Sequence, residues 1–174
     1  TTDMNCTGTA RLLEAARDAG VDRVILASSA AVYGSNVEIP VSEEAPTAPE
    51  SPYALSKRYT EQLALQYAEQ YELDVIVLRY FNVFGPRQDP EGEYAAVIPQ
   101  FIQLMADGQR PVIYGDGEQS RDFVHVDDVV AANLAAATTD CDGEIFNVAG
   151  GDQITINELV ETLNTVLGND IQPK

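Results

Sequence analysis

A phenol and an ammonium stand four residues apart in Ser51-Pro52-Tyr53-Ala54-Leu55-Ser56-Lys57. On a helix, positions i and i+4 share a face, so both side chains can address one ligand. A free tyrosine keeps its proton up to pH about 10, and a nearby positive charge favours the phenolate. The pattern therefore suits a tyrosine base activated by a lysine. Bringing such a proton to neutral pH takes roughly 4 kcal/mol, more than one lysine readily supplies. A second cation is called for, and an oxidised nicotinamide ring would be one. The chain has eight tyrosines, so an accidental pair on an amphipathic helix is the competing reading, and context has to decide.

The elements that must position this pair follow from the hydrophobic pattern. Leu12, Leu13, Ala15, Ala16 and Ala19 predict a helix over 4–19, stopped by Gly20. Residues 23–29 are a short apolar, β-branched run without alternation, as in a parallel strand buried on both faces. Residues 33–52, carrying Pro40, Pro46, Pro49 and Pro52, read as a loop too long to lack a use. A helix over 53–71 and a strand over 74–80 follow, then a loop over 82–93 and a helix over 95–106. Short strands at 112–114 and 123–125 flank Gly115-Asp116-Gly117, and Asp127 or Asp128 can cap a helix over 129–137. After a strand at 144–148, Thr155-Ile156-Asn157-Glu158 fits a capping box opening a helix to Leu167. The alternation predicts an α/β fold with a mainly parallel sheet.

With 174 residues, 45% of them hydrophobic, the chain is long enough for one domain with a substantial core. No apolar run approaches a membrane span and no signal-peptide pattern opens the sequence, so a cytoplasmic protein is expected. Cys6 and Cys141 form neither a disulfide framework nor a zinc pattern, and His125 is the only histidine, so no metal site is expected. A net charge of −18, from 28 acids and 10 bases, argues against nucleic acid as a partner. The acids are scattered, as in a solvated coat, and we expect a protein from a high-salt cytoplasm.

Four segments occur in order: Ser28-Ser29-Ala30-Ala31-Val32-Tyr33-Gly34; Tyr53-Ala54-Leu55-Ser56-Lys57; Arg79-Tyr80-Phe81-Asn82-Val83-Phe84-Gly85-Pro86-Arg87-Gln88; and Ser120-Arg121-Asp122-Phe123-Val124-His125-Val126. The set resembles the extended short-chain dehydrogenase/reductase family, in particular NAD-dependent nucleotide-sugar 4-epimerases acting on UDP-glucose or UDP-N-acetylglucosamine. The resemblance covers essentially the whole chain. No glycine-rich pyrophosphate turn follows any strand, so the chain is expected to be an internal portion of a larger Rossmann-like fold. The expectation is one partial domain over 1–174. About 1–82 would form the second half of the NAD domain with its Ser/Tyr/Lys site. About 83–174 would form part of a smaller substrate-binding region together with returning sheet and helix elements.

The resemblance implies roles for particular residues. Ser29, Tyr53 and Lys57 would be catalytic and would also contact NAD. Tyr53 would take the proton of the sugar 4-hydroxyl as C4 gives hydride to NAD, leaving a 4-keto sugar whose other face is then reduced. Lys57 would hold the nicotinamide ribose and favour the phenolate, and Ser29 would relay the proton between sugar O4 and Tyr53. A strand-end hydroxyl with a purely structural role suits Ser28 better than Ser29. Phe81 matches a backbone contact near the nicotinamide, and Asn82 a substrate contact, though a loop asparagine is commonly a turn former. Arg121 matches a ligand of the substrate diphosphate, the alternative being an ion pair with Asp122 or the acidic coat. Tyr114 could stack near the uracil or simply pack. Asn5 matches an architectural asparagine.

Dehydratases of the family carry an acidic pair directly after the catalytic serine or threonine. Ala30 and Ala31 stand there, which disfavours dehydration. The segment 93–99 looks closer to enzymes accepting N-acetylated sugars, while Ala96 departs from an asparagine of some UDP-galactose enzymes. The alternatives are another nucleotide-sugar enzyme of the family and a non-catalytic binding or dimerisation module. A homodimer through the helices near 4–19 and 53–71 is expected. The pair Tyr53 and Lys57 is expected to be placed correctly but idle without the rest of the fold.

Overall fold

The computed structural model describes residues 3–35, 38–91 and 96–174. In chain order the regular elements are α1 (Gly8–Asp18), β1 (Arg23–Ser29), α2 (Pro52–Tyr71), β2 (Asp74–Tyr80), β3 (Asn82–Phe84), α3 (Val97–Ala106), β4 (Ser120–His125), α4 (Val126–Thr138), β5 (Glu144–Val148), β6 (Gln153–Thr155) and α5 (Ile156–Leu167). They divide into two compact units, Thr1–Phe81 with Asp128–Val148, and Asn82–Asp127 with Ala149–Lys174.

The first unit is an α/β layer built on a parallel sheet of order β1-β2-β5. The central strand β2 buries Val75, Ile76, Val77 and Leu78, each contributing about 1.5–3 kcal/mol of apolar burial. Helix α2 packs on β1 and β2, and α1 packs on α2. Leu13, Leu26, Ala64, Leu73, Val75 and Val77 form the core between these layers. In register, Ser29 pairs with Tyr80 and Tyr80 with Val148, so the three strands reach their carboxyl ends together. Open α/β sheets present functional groups at that edge.

The second unit carries β3 parallel to β4, and β4 antiparallel to β6. Helices α3 and α5 pack around Ile98, Phe101, Met105, Ile156, Leu159, Val160 and Leu163. The Thr155 hydroxyl accepts from Glu158 N while the Glu158 carboxylate accepts from Thr155 N, the capping box that the sequence announces.

Several local expectations are corrected. The 82–93 loop opens with β3, whose three residues are extended because β4 is there to pair with them. Residues 112–114 form no strand. Ile113 N donates to Lys174 O and Lys174 N to Pro111 O, an isolated pairing with no ladder beyond it. Neither Asp127 nor Asp128 precedes α4; both lie in its first turn, and the His125 ring nitrogen instead accepts from Asp127 N at 3.3 Å. Strand β6 was not foreseen, and it makes the second unit's sheet mixed. The first helix is wound as a π-turn over Asp3–Thr7 before α1 begins. Of the segment 93–99, residues 93–95 lie outside the described residues.

Candidate active site

Ser29 closes β1 and caps the short 3-10 turn Ala30–Tyr33, its Oγ accepting from Ala31 N at 3.2 Å. The turn ends at Gly34, with φ of 75°. A Cβ there would lie 2.3 Å from the Ala48 carbonyl oxygen, so only glycine lets that carbonyl pass this close. Helix α2 starts at Pro52 behind Ser51, whose hydroxyl accepts from Ala54 N at 3.1 Å. That cap fixes the first turn, and Tyr53 sits in it, 43% exposed. Ser56 Oγ donates to Tyr53 O at 2.7 Å and accepts from Asn5 Nδ2 at 2.9 Å, so Asn5 braces the same turn.

One turn further on, Lys57 Nζ donates to Ala27 O at 2.8 Å and lies 5.9 Å from the Tyr53 ring centroid. The lysine thus ties α2 to β1 two residues before Ser29. Burial pushes its ammonium below the ordinary lysine value. A phenol, an ammonium and a strand-end hydroxyl are therefore held by two elements stitched together at this edge. A half-exposed phenol beside a cation can exchange a proton with a ligand hydroxyl. Phe81 follows β2, and its N–H already donates to Val148 O at 3.0 Å.

The second unit holds Asn82, Tyr114 and Arg121 around a cavity of about 500 Å³, lined also by Phe84, Phe101 and Phe123. Asn82 Nδ2 donates to Asp122 O at 2.8 Å. Arg121 is exposed, and among the described residues its side chain donates only to Ser120 O and makes no ion pair. The ion pair with Asp122 is not made, because that carboxylate accepts from Gly150 N and Gly151 N. Tyr114 is 85% exposed at the rim, so it is not packing filler. An apolar, aromatic cavity with one uncommitted guanidinium suits a ligand that has both a ring and an anionic group.

Sequence reasoning missed a buried polar network in the first unit. Glu61 and Arg79 are 0% and 2% exposed. Arg79 donates twice to the Glu61 carboxylate, at 2.9 and 2.8 Å, and once to the Tyr33 hydroxyl at 2.8 Å. Ser28 Oγ donates to Glu61 at 2.5 Å, Arg58 donates at 3.2 Å, and Tyr33 donates to Asn147 Oδ1 at 2.7 Å. Burial works to raise the Glu61 carboxyl, but hydrogen bonds from Arg79 and Ser28 outweigh it and hold the group below the ordinary glutamate value. Burial likewise opposes the Arg79 charge, yet Glu61 and Tyr33 hold it above the ordinary value. The available signal was an arginine inside the apolar strand 74–80, which must find a carboxylate if buried.

Comparison with known proteins follows the same lines. The family model described as "NAD dependent epimerase/dehydratase family" matches residues 1–149. The UDP-glucose 4-epimerase of Mycolicibacterium smegmatis is 41% identical over 98% of this chain and 55% of its own length. Among solved structures, a UDP-N-acetylglucosamine 4-epimerase from Methanobrevibacter ruminantium, in complex with UDP-N-acetylmuramic acid, is 45% identical with a TM-score of 0.95. That match covers 99% of this chain and 56% of the other. A dTDP-glucose 4,6-dehydratase double mutant from Streptomyces venezuelae with NAD bound is 39% identical with a TM-score of 0.88, covering 97% of this chain and 51% of the other. The chain spans about half the length of the curated relatives it matches.

Proposed function

Because the chain belongs to the NAD dependent epimerase/dehydratase family, we propose that the whole protein interconverts the 4-epimers of a UDP-hexose with NAD as its bound cofactor. The observation that carries this reading is the set at the carboxyl edge of the parallel sheet. Tyr53 and Lys57 share a helix face, Lys57 is anchored to Ala27, and Ser29 closes the same strand.

These residues fit the nicotinamide end of NAD by their chemistry: a phenol and a half-buried ammonium on one helix face, and a hydroxyl at the end of the strand to which that ammonium is bonded. When bound, NAD supplies a two-electron acceptor at the sugar C4 that is restored within each cycle. Tyr53 takes the proton from O4 and later returns it, Ser29 passes that proton along, and Lys57 orients the ribose hydroxyls and stabilises the phenolate. The Phe81 N–H is spent on Val148 O, which leaves its carbonyl for the cofactor contact. In the second unit, Arg121 takes the diphosphate, Tyr114 stacks on the base and Asn82 presents its amide oxygen to the substrate.

Ala30 and Ala31 support epimerisation over dehydration, since two methyl groups can neither give nor take the proton that water loss requires. The likeness to a 4,6-dehydratase makes dehydration the second reading. Incubating the full-length protein with UDP-glucose and with UDP-N-acetylglucosamine separates the two by NMR. A 4-epimer supports the proposal, and a 4-keto-6-deoxy sugar or no product defeats it. The exposed Leu12, Leu55 and Tyr59 on α1 and α2 support a homodimer through these helices, which a strictly monomeric mass in solution would exclude.

A further inference from the structure

Glu61 continues the spacing of Tyr53 and Lys57 by one more step of four, so the three side chains rise along one face of α2. Tyr53 and Lys57 serve the edge of the sheet, whereas Glu61 is fully buried beneath them. Its carboxylate receives hydrogen bonds from three elements: Ser28 of β1, Arg79 of β2 and Arg58 of α2 itself. Ser28 directly precedes Ser29. Arg79 extends the reach to Tyr33, the last residue of the turn that Ser29 caps, and to Glu43 O at 3.1 Å. Asn147 of β5 accepts from Tyr33 and donates to Val41 O at 3.0 Å. One ion pair thereby joins the helix carrying Tyr53 and Lys57 to the strand and turn on either side of Ser29.

A well-packed apolar pair would stabilise such a position at least as well, because desolvating two charges consumes most of their attraction. What an ion pair adds is direction: the bidentate fork fixes α2 in register and rotation against both strand ends. We propose that Glu61 is a positioning residue, which sets Ser29, Tyr53 and Lys57 relative to one another through its buried network with Ser28, Arg79 and Tyr33. The inference rests on the proposed reaction for its kinetic consequence, and on geometry alone for its structural one. A displacement of about 1 Å at reacting groups can cost on the order of a hundredfold in rate. Loosening one bond of the network should act on turnover before it acts on binding.

The test uses the full-length protein and two variants, Glu61→Gln and the milder Ser28→Ala, with hydrogen exchange and steady-state kinetics as readouts. In each variant that folds, amides at 30–34 and 53–57 should exchange about tenfold faster than in the parent, with those of β2 unchanged. In the same variants kcat should fall about tenfold or more while KM stays within about twofold. Unchanged exchange at both segments overturns the proposal, as does faster exchange with undiminished kcat. Should Glu61→Gln fail to fold, Ser28→Ala decides alone. A parent that turns over neither UDP-sugar refutes the proposed function, and exchange at the two segments then upholds or overturns the positioning role by itself.

Discussion

Replacing Arg79 by methionine isolates the electrostatics of the buried pair. Arg79→Met keeps most of the aliphatic volume and removes the two bonds to Glu61, the bond to Tyr33 and the bond to Glu43 O. Glu61 is then left with Ser28 and with Arg58, whose side chain is 28% exposed. Breaking one side of a buried pair typically costs about 3–5 kcal/mol, and the loss should show a particular pH dependence. In the parent, Glu61 is held below its ordinary value of 4.5. Its contribution is therefore complete above that value and lost as the pH falls through the folded value. Without Arg79, burial is opposed only by Ser28 and Arg58, and the carboxyl moves upward. The penalty should then be largest near pH 7 and shrink as acid neutralises the group. Urea unfolding of parent and variant at pH 7 and pH 4, in high salt, reads this directly. A loss below about 1 kcal/mol at pH 7, or the same loss at both pH values, would refute the reasoning.

Other expectations follow from single contacts. Thr155→Ala removes the capping box of α5 and should lower stability by about 1 kcal/mol in urea unfolding. Gly34→Ala must leave the φ of 75° or displace the Ala48 carbonyl, at a cost of about 1–3 kcal/mol seen as a lower Tm. Arg121→Met removes an exposed guanidinium that, among the described residues, is bonded only to Ser120 O. It should raise KM for a UDP-sugar at least about tenfold while leaving Tm nearly unchanged. With a net charge of −18, the unfolding midpoint should rise steadily from dilute buffer to molar KCl, and full stability in dilute buffer would remove the high-salt reading.

The legible parts of the chain were those fixed by local chemistry. Strands β1, β2 and β5 and the Thr155–Glu158 box lie where the pattern places them, because apolar runs and end-capping leave their mark in a few adjacent residues. The expected burial of residues 23–29 on both faces holds for β2 instead, since Ala27 of β1 and Phe146 of β5 are exposed. Strands β3 and β6 were not legible, since three extended residues carry no period and owe their state to β4 beside them. At the site, the spacing of Tyr53 and Lys57 was visible, but what anchors Lys57 was not. Its partner is the carbonyl of Ala27, a backbone atom that every residue has. The Glu61–Arg79 pair stayed hidden for a related reason. An i+8 glutamate on an acidic chain looks like surface charge until the strand arginine facing it is known.

The most direct test of the account uses UDP-glucose and UDP-N-acetylglucosamine carrying deuterium at sugar C4, given to the full-length protein and followed by NMR. The account predicts a 4-epimer that retains deuterium at C4, with turnover lost in Tyr53→Phe by at least about a hundredfold. An epimer formed with loss of the label, no epimer from either sugar, or an undiminished rate in Tyr53→Phe would contradict it.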